Sequence, residues 1–348
     1  MKKYDYIIVG NGISGNFLAH HLLNYDSKLK ILIIFDDQLI PASELNAGFF
    51  TMGSFSFLEK IYNEKPWLIS ILQENVLAVK KLAKSLSCTI IEKGSLTIVD
   101  YPLTSKVNEF FDSFEYLKEK DSWGKINGVY NSIDFSANPK VFLNSFRKFN
   151  QQRGVEYLSK SILPGDSSLS QGKRVLFATN GFTQNTSLNK FGLAVQPQRA
   201  QIQEISVPTR LGASPNIYHP EHRIYFRFIE NKMLIGGLRT LDSKNENTTE
   251  MEVNEKIQTA LFDYATKFLD EKFSFPSEQI KINNQWSGIM GFTSDELPVV
   301  KSLEKNAYYI GGFSGHGNGF SYWLTRELIY FLNNSNKSSQ YFKHFYLK

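Results

Sequence analysis

The chain has 348 residues, 42% hydrophobic and 21% charged, with a net charge of +5 and a single cysteine, Cys88. One cysteine excludes an intramolecular disulfide and a cysteine-based zinc site. The charges are dispersed rather than blocked, which speaks against a nucleic-acid partner, and no apolar run approaches the eighteen or so residues of a membrane span.

That size suits two domains or one large interlaced pair. The opening "MKKYDYIIVG" has too short an apolar run for a secretory signal, so a cytoplasmic protein is expected. Tyr6 to Val9 reads as a short buried strand ended by glycine. "NGISGNFLAHHLLNY" follows with helical spacing at Ile13, Phe17, Leu18, Leu22 and Tyr25. "LKILIIFDD" is a second strand, apolar on both faces and closed by acid. Two such strands around a helix indicate a parallel βαβ unit.

From Lys60 to about Leu86 the pattern is helical, broken at Pro66. "GSLTIVD" (94–100) reads as a strand. "ANPKVFLNSFRKFNQQRGVEYL" is a helix with Asn138-Pro139 at its start and Gly154 past its end, leading into a strand. "KRVLFATNGF" is a buried strand running into a glycine turn. "RIYFRFIE" and "KMLIGGLR" are strands separated by Asn231, hence a hairpin. "NEKIQTALFDYATKFL" is helical. "NAYYIGGFSGHGNGF" is a strand dissolving into glycines, and "SYWLTRELIYFLNN" is a closing helix. The fold class predicted is α/β, a Rossmann-like domain interlaced with a smaller α+β domain on a mostly antiparallel sheet. Residues 1–85, 135–190 and 280–348 are assigned to the first, and 86–134 and 191–279 to the second.

"GNGISG" places Gly10, Gly12 and Gly15 in GxGxxG spacing after a strand and at the opening of a helix. The first glycine allows the tight turn, the second a close approach of pyrophosphate, the third close helix–strand packing. Ile13 and Ser14 then offer backbone N–H groups at the helix N-terminus. Asp36 is the candidate for ribose hydroxyls at the end of the second strand, with Asp37 as the alternative.

"PASELNAGFF", "VLFATNGF", "WSGIMGFTSDELP" and "GGFSGHGNGF" follow in that order. Together they make the sequence resemble the D-amino-acid-oxidase/glycine-oxidase family of FAD-dependent oxidoreductases, with the amine-oxidising, glutamylputrescine-oxidase-like branch closest. The resemblance covers nearly the whole chain and is thinnest between about 95 and 130. It implies an FAD enzyme acting on a small amine or amino acid, with oxygen or another acceptor taking the electrons. It implies that Ser43 bonds phosphate and that Asn46, Ala47 and Gly48 run beneath the isoalloxazine. Thr179, Asn180 and Gly181 match a strand end near the ribityl and adenine side, where Asn180 replaces the usual glycine. Gly288 falls in flavin-side scaffolding. Ser314, Gly315, His316, Gly317, Asn318 and Gly319 match a loop against the flavin pyrimidine edge, at a helix N-terminus suited to negative charge. His316 can contact the flavin or attach to it. A capping or buried histidine is preferred, and with it non-covalent FAD.

In members acting on α-amino acids the segment around Trp286 reads W-x-G-x-R, and the arginine grips the substrate carboxylate. Here that position is Met290, a polarisable apolar side chain. The anchor is therefore moved or absent, and Arg199, Arg223, Arg227 and Arg239 are the candidates for a moved one. Met52, Tyr225 and Trp286 complete the tentative substrate wall. Asp295 and Pro298 read as a structural turn. No metal spacing and no nucleophile elbow is present, and no catalytic acid or base is assigned. The expected reaction is hydride transfer from the carbon of a C–N bond to flavin, followed by imine hydrolysis. Three alternatives stay open. They are oxidation of an α-amino acid through a relocated arginine, modification of a larger, tRNA-borne amine, and a non-catalytic flavin-binding protein.

Overall fold

The computed structural model describes residues 3–99, 114–117, 126–162, 166–208, 211–334 and 336–347. Asp100, the end of the predicted strand 94–100, lies outside them, as does part of the 86–134 segment.

Tyr4–Val9 runs parallel to Ile31–Phe35 on one side and to Gly172–Phe177 on the other. Glu156–Ser159 and Ala307–Gly311 extend this parallel sheet outward. Val299–Glu304, antiparallel, and then Tyr346–Leu347 finish a seven-stranded sheet. The inner strands are apolar throughout because both faces are covered. Ile8 and Ile33 pack in the core formed with the helices Ile13–Tyr25 and Gly317–Leu332, while Ile7, Leu32 and Ile34 pack on the other side. The helical stretch after Ser54 divides where predicted, into Phe55–Glu64 and Trp67–Ser85 around Pro66. Asn138 caps Pro139–Gln152 by accepting from the Val141 N–H at 3.1 Å.

A second sheet has eight strands in the order Lys281–Phe292, Gln196–Ser206, Lys232–Gly237, Ile224–Ile229, Asn216–His219, Ser95–Ile98, Gly128–Asn131 and Phe114–Leu117. The predicted hairpin is its centre, with Phe226 opposite Ile235. Alternation sorts the two faces. Phe226, Phe228 and Ile235 are buried with Ile257, Leu261 and Phe268 of the helix Glu255–Phe273. Tyr225 and Arg227 point the other way, as do Gln198 and its cross-strand partner Met290. The expected boundary at 280 groups Lys281–Phe292 with the nucleotide half, yet its hydrogen bonds run to Gln196–Ser206 in the second sheet. A small third sheet of Phe49–Phe50, Phe135–Ala137 and Ile90–Ile91, absent from the sequence reading, ties the loop after Ala47 to the rest.

Candidate active site

The first strand ends at Gly10, whose φ of +116° a side chain would strain. A Cβ there would sit 2.5 Å from the Ala178 carbonyl oxygen. One at Gly15 would sit 2.0 Å from the Gly10 carbonyl oxygen, so the helix Ile13–Tyr25 can approach the strand only with glycine there. Its N-cap residue, Gly12, offers no side chain to cap it, and its first turn carries no acid. Its positive end therefore faces a cavity of about 610 Å³. The Ile13 N–H donates to Ser43 Oγ at 3.0 Å, which fastens the helix start to the short helix Ala42–Leu45.

Arg147, on the helix Pro139–Gln152 and itself lining the cavity, holds this turn. Its Nη2 donates to the Asn11 carbonyl at 2.6 Å, its Nε to Asn11 Oδ1 at 3.0 Å, and its Nη1 to Glu44 Oε1 at 2.6 Å. Buried Asn16 reinforces it by donating to the Gly12 carbonyl at 2.9 Å, while the Tyr157 hydroxyl donates to Asn16 Oδ1 at 2.7 Å. Burial pushes that hydroxyl's pKa up.

The cavity runs from Asp36 and Asp37, past the glycine turn, to Met290, Gly315 and Asn318. At its first end Ser161 donates to Asp36, and the Gln38 N–H donates to Asp36 Oδ1 at 3.0 Å. Midway, Asn180 adopts a φ of +44°, a conformation asparagine tolerates better than most residues. Its Oδ1 accepts from the Gly312 N–H at 3.0 Å. At the far end the Ser314 N–H donates to the Gly291 carbonyl at 2.8 Å, and Asn318 Nδ2 donates to the Phe49 carbonyl at 2.7 Å. The helix Gly317–Leu332 begins here, again without a side-chain cap. The result is two helix N-termini bordering one cavity, with an acid just past the second strand: an arrangement suited to a dinucleotide.

Residues 5–330 match the family described as FAD dependent oxidoreductase. The chain belongs to this family. No curated protein matches its sequence. The oxidoreductase shares its fold with glycine oxidase from Geobacillus kaustophilus, at 16% identity over 99% of this chain and 98% of that one, TM-score 0.77. L-proline dehydrogenase from P. horikoshii has 16% identity over 100% of both chains, TM-score 0.71. Iminodiacetate oxidase from Chelativorans sp. BNC1 has 11% identity over 98% of both, TM-score 0.71. No helix among the described residues is long and apolar enough to cross a membrane.

Within the oxidoreductase, Gly10, Gly12, Ile13, Ser14, Asp36, Asp37, Ser43, Asn46, Thr179, Asn180, Gly181, Met290, Gly315, Gly317 and Asn318 line the cavity. Other nominated residues stand behind its wall. Gly15 and Gly288 are packing positions, the latter against Leu45 and Ala42. Gly319 lets its helix approach the Thr51 carbonyl, where a Cβ would come within 2.9 Å. Ala47 is buried, and Gly48 is wedged between Ala137 and Arg227. Ser314 Oγ accepts from the Thr293 N–H at 3.2 Å. His316 stacks on Phe57 with ring centroids 4.0 Å apart, and burial drops its pKa to about 4.

Among the tentative wall residues, Met52 is 1% exposed and belongs to the core, its N–H donated to buried Asp134. Trp286 Nε1 donates to the Leu45 carbonyl at 2.7 Å, so the indole braces the loop before Asn46. Tyr225 packs on Phe49, and burial raises its pKa to about 12.

The four arginines separate cleanly. Arg199 is no displaced anchor: it is buried against Glu246, with Nη2 to Oε1 at 2.9 Å, so its charge is spent. Arg223 is exposed on a left-handed turn residue. Arg239 lies 3.9 Å over the Phe292 ring, on the strand that carries Met290. Arg227 is buried.

Cavity residues missed by sequence reasoning include Arg147, Glu44, Lys140, Lys160 and Ser161. Arg147 and Lys140 sit on an amphipathic helix, where basic residues read as a solvated face. Away from the cavity, His219, Glu221 and His222 bring ligand-type atoms within 4.8 Å of one another.

Proposed function

We propose that the oxidoreductase oxidises the C–N bond of an amine or an N-substituted amino acid, with FAD lying along the cavity from Asp36 to Met290. The residues suit the group: Gly10 and Gly12 line the cavity at the start of the first helix, and neither N-cap residue, Gly12 or His316, turns a side chain back onto its helix. In this reading Gly12, Ile13 and Ser14 hold the pyrophosphate, Asp36 the ribose hydroxyls, and Gly315 to Asn318 the pyrimidine edge. FAD, when bound, supplies a two-electron acceptor for the hydride beside the nitrogen, and the resulting imine takes up water.

The protein's own work is to bind, orient and keep the site dry. Met290 carries the substrate assignment. It lines the cavity with Ile289 and Phe313, and a thioether there offers an apolar wall and no grip on a carboxylate. The substrate nitrogen must be neutral for its lone pair to assist, so an apolar wall favours the reactive form. The fold is shared with enzymes named for glycine, L-proline and iminodiacetate, which supports nitrogen-bearing substrates.

One observation favours a second reading within the same class. Arg239 over Phe292 is a half-buried guanidinium on a residue two along from Met290. A substrate with a carboxylate remote from its reacting carbon could reach it. The test is a panel of neutral amines, N-alkyl amino acids and α-amino acids mixed with the holoprotein without oxygen. Bleaching of the flavin by members of the first two groups, with an aldehyde or keto product, is expected. Failure of every compound to bleach it sinks the proposal.

A further inference from the structure

Arg227 is 2% exposed, yet its Nε and Nη1 have no hydrogen-bond partner among the described residues. Its Nη2 donates to the Ala137 carbonyl at 3.3 Å. Burial alone acts on its pKa, bringing it down to about 10, so the group still carries its charge at neutral pH. Arg199 shows how the same chain pairs a buried guanidinium when the charge is structural: three contacts to Glu246 use it up. A buried cation without a counter-charge is strongly unfavourable, and folds keep one where a ligand completes it.

The position of Arg227 says which end of the cavity is concerned. It lies on the sheet face that carries Tyr225 and Met290, opposite the face covered by the helix Glu255–Phe273. A Cβ on Gly48 would come within 2.8 Å of Nη2. Gly48 donates its N–H to Asn46 Oδ1 at 2.7 Å, and Asn46 lines the cavity. Asn318, also a lining residue, donates to the Phe49 carbonyl at 2.7 Å. The guanidinium thus packs against Gly48 behind the cavity wall, two residues along the chain from lining Asn46, and Gly48 interposes no side chain of its own.

We propose that Arg227 is an electrostatic partner of bound FAD, stabilising across Gly48 the negative charge that builds on the ring system when it accepts electrons. A fixed cation already aimed at the place where charge develops needs no reorganisation as the charge arrives. The proposal rests on FAD binding in this cavity and not on amine oxidation.

The test uses the holoprotein, its R227M and R227K variants, and two readouts that need no substrate. Sulfite, which adds a negative charge to oxidised flavin, is titrated against the visible spectrum, and the midpoint potential of the bound FAD is measured. R227M is expected to lose about tenfold in sulfite affinity and to lower the potential by about 30 mV, the two-electron equivalent of tenfold. R227K is expected to recover most of both. Benzoate, a carboxylate probe, should bind R227M and the parent alike. Unchanged sulfite affinity and potential overturn the proposal. So does loss of benzoate binding alone, which would assign the guanidinium to a ligand carboxylate. Should R227M retain no flavin, the apoproteins decide. Removing an unpartnered charge should leave apo R227M melting at or above the parent apoprotein. A lower melting temperature marks Arg227 as a strut of the fold and overturns the proposal.

Discussion

Asn180 Oδ1 accepts the Gly312 N–H at 3.0 Å and so joins the end of the strand Gly172–Phe177 to the glycine loop beyond Ala307–Gly311. Both elements feed the cavity, the first through Thr179 to Gly181 and the second through Gly315 to Asn318. The bond couples the middle of the cavity to its far end. It also gives asparagine a reason at a position where the resemblance implied glycine: the side chain tolerates a φ of +44° and supplies the tie.

Asn180→Gly keeps the backbone conformation and loses the tie, and should cost about 1 kcal/mol of holoprotein stability. Asn180→Ala adds left-handed strain of about 1 kcal/mol more. Thermal unfolding of the two variants beside the parent checks both the order and the size. Equal melting temperatures for Ala and Gly would mean the conformation carries no strain.

Arg147 should matter to FAD affinity without touching substrate. Its three bonds to Asn11 and Glu44 hold the turn that shapes the first half of the cavity. Arg147→Met should cost about 2 kcal/mol, or about thirtyfold in FAD affinity, because charge-assisted bonds are lost together. Titration of apoprotein with FAD measures it.

His316 gives a pH signature. Its folded pKa is lowered to about 4 from the ordinary 6.5, with burial as the main cause. The unfolded chain therefore binds the proton first as pH falls. The stability this group contributes is fully present above about pH 6.5 and is lost progressively down to about pH 4. His20, also lowered to about 4, and His21 add to the same acid sensitivity. His316→Phe keeps an aromatic ring for the Phe57 stack, and its melting temperature should fall less steeply than the parent's across that window. Parallel curves would remove His316 from the acid response.

Much of this arrangement was legible in the residues. Gly10, Gly12 and Gly15 declared the turn, Pro66 the helix break, and Asn138-Pro139 the start of the helix Pro139–Gln152, because each acts locally through backbone geometry. Partnerships across the chain were not legible. Nothing in "KINNQWSGIMGF" says that it pairs with Gln196–Ser206 rather than with the nucleotide sheet. Arg147 looks like any solvent-facing basic residue until Asn11 and Glu44 are seen beside it. Arg199 and Arg227 are indistinguishable as letters, and only the presence or absence of Glu246 separates a spent charge from an open one. Met52 reads as a wall residue in the sequence, but its thioether is buried in the core.

The substrate class turns on Met290, and one comparison bears on it most directly. The holoprotein is mixed without oxygen with a matched pair, an amine and the α-amino acid that carries the same side chain, and bleaching of the flavin is followed. The amine should bleach it faster, and Met290→Arg should move the preference towards the amino acid by supplying a carboxylate partner. Bleaching of the parent protein by the α-amino acid and by no amine would contradict the assignment.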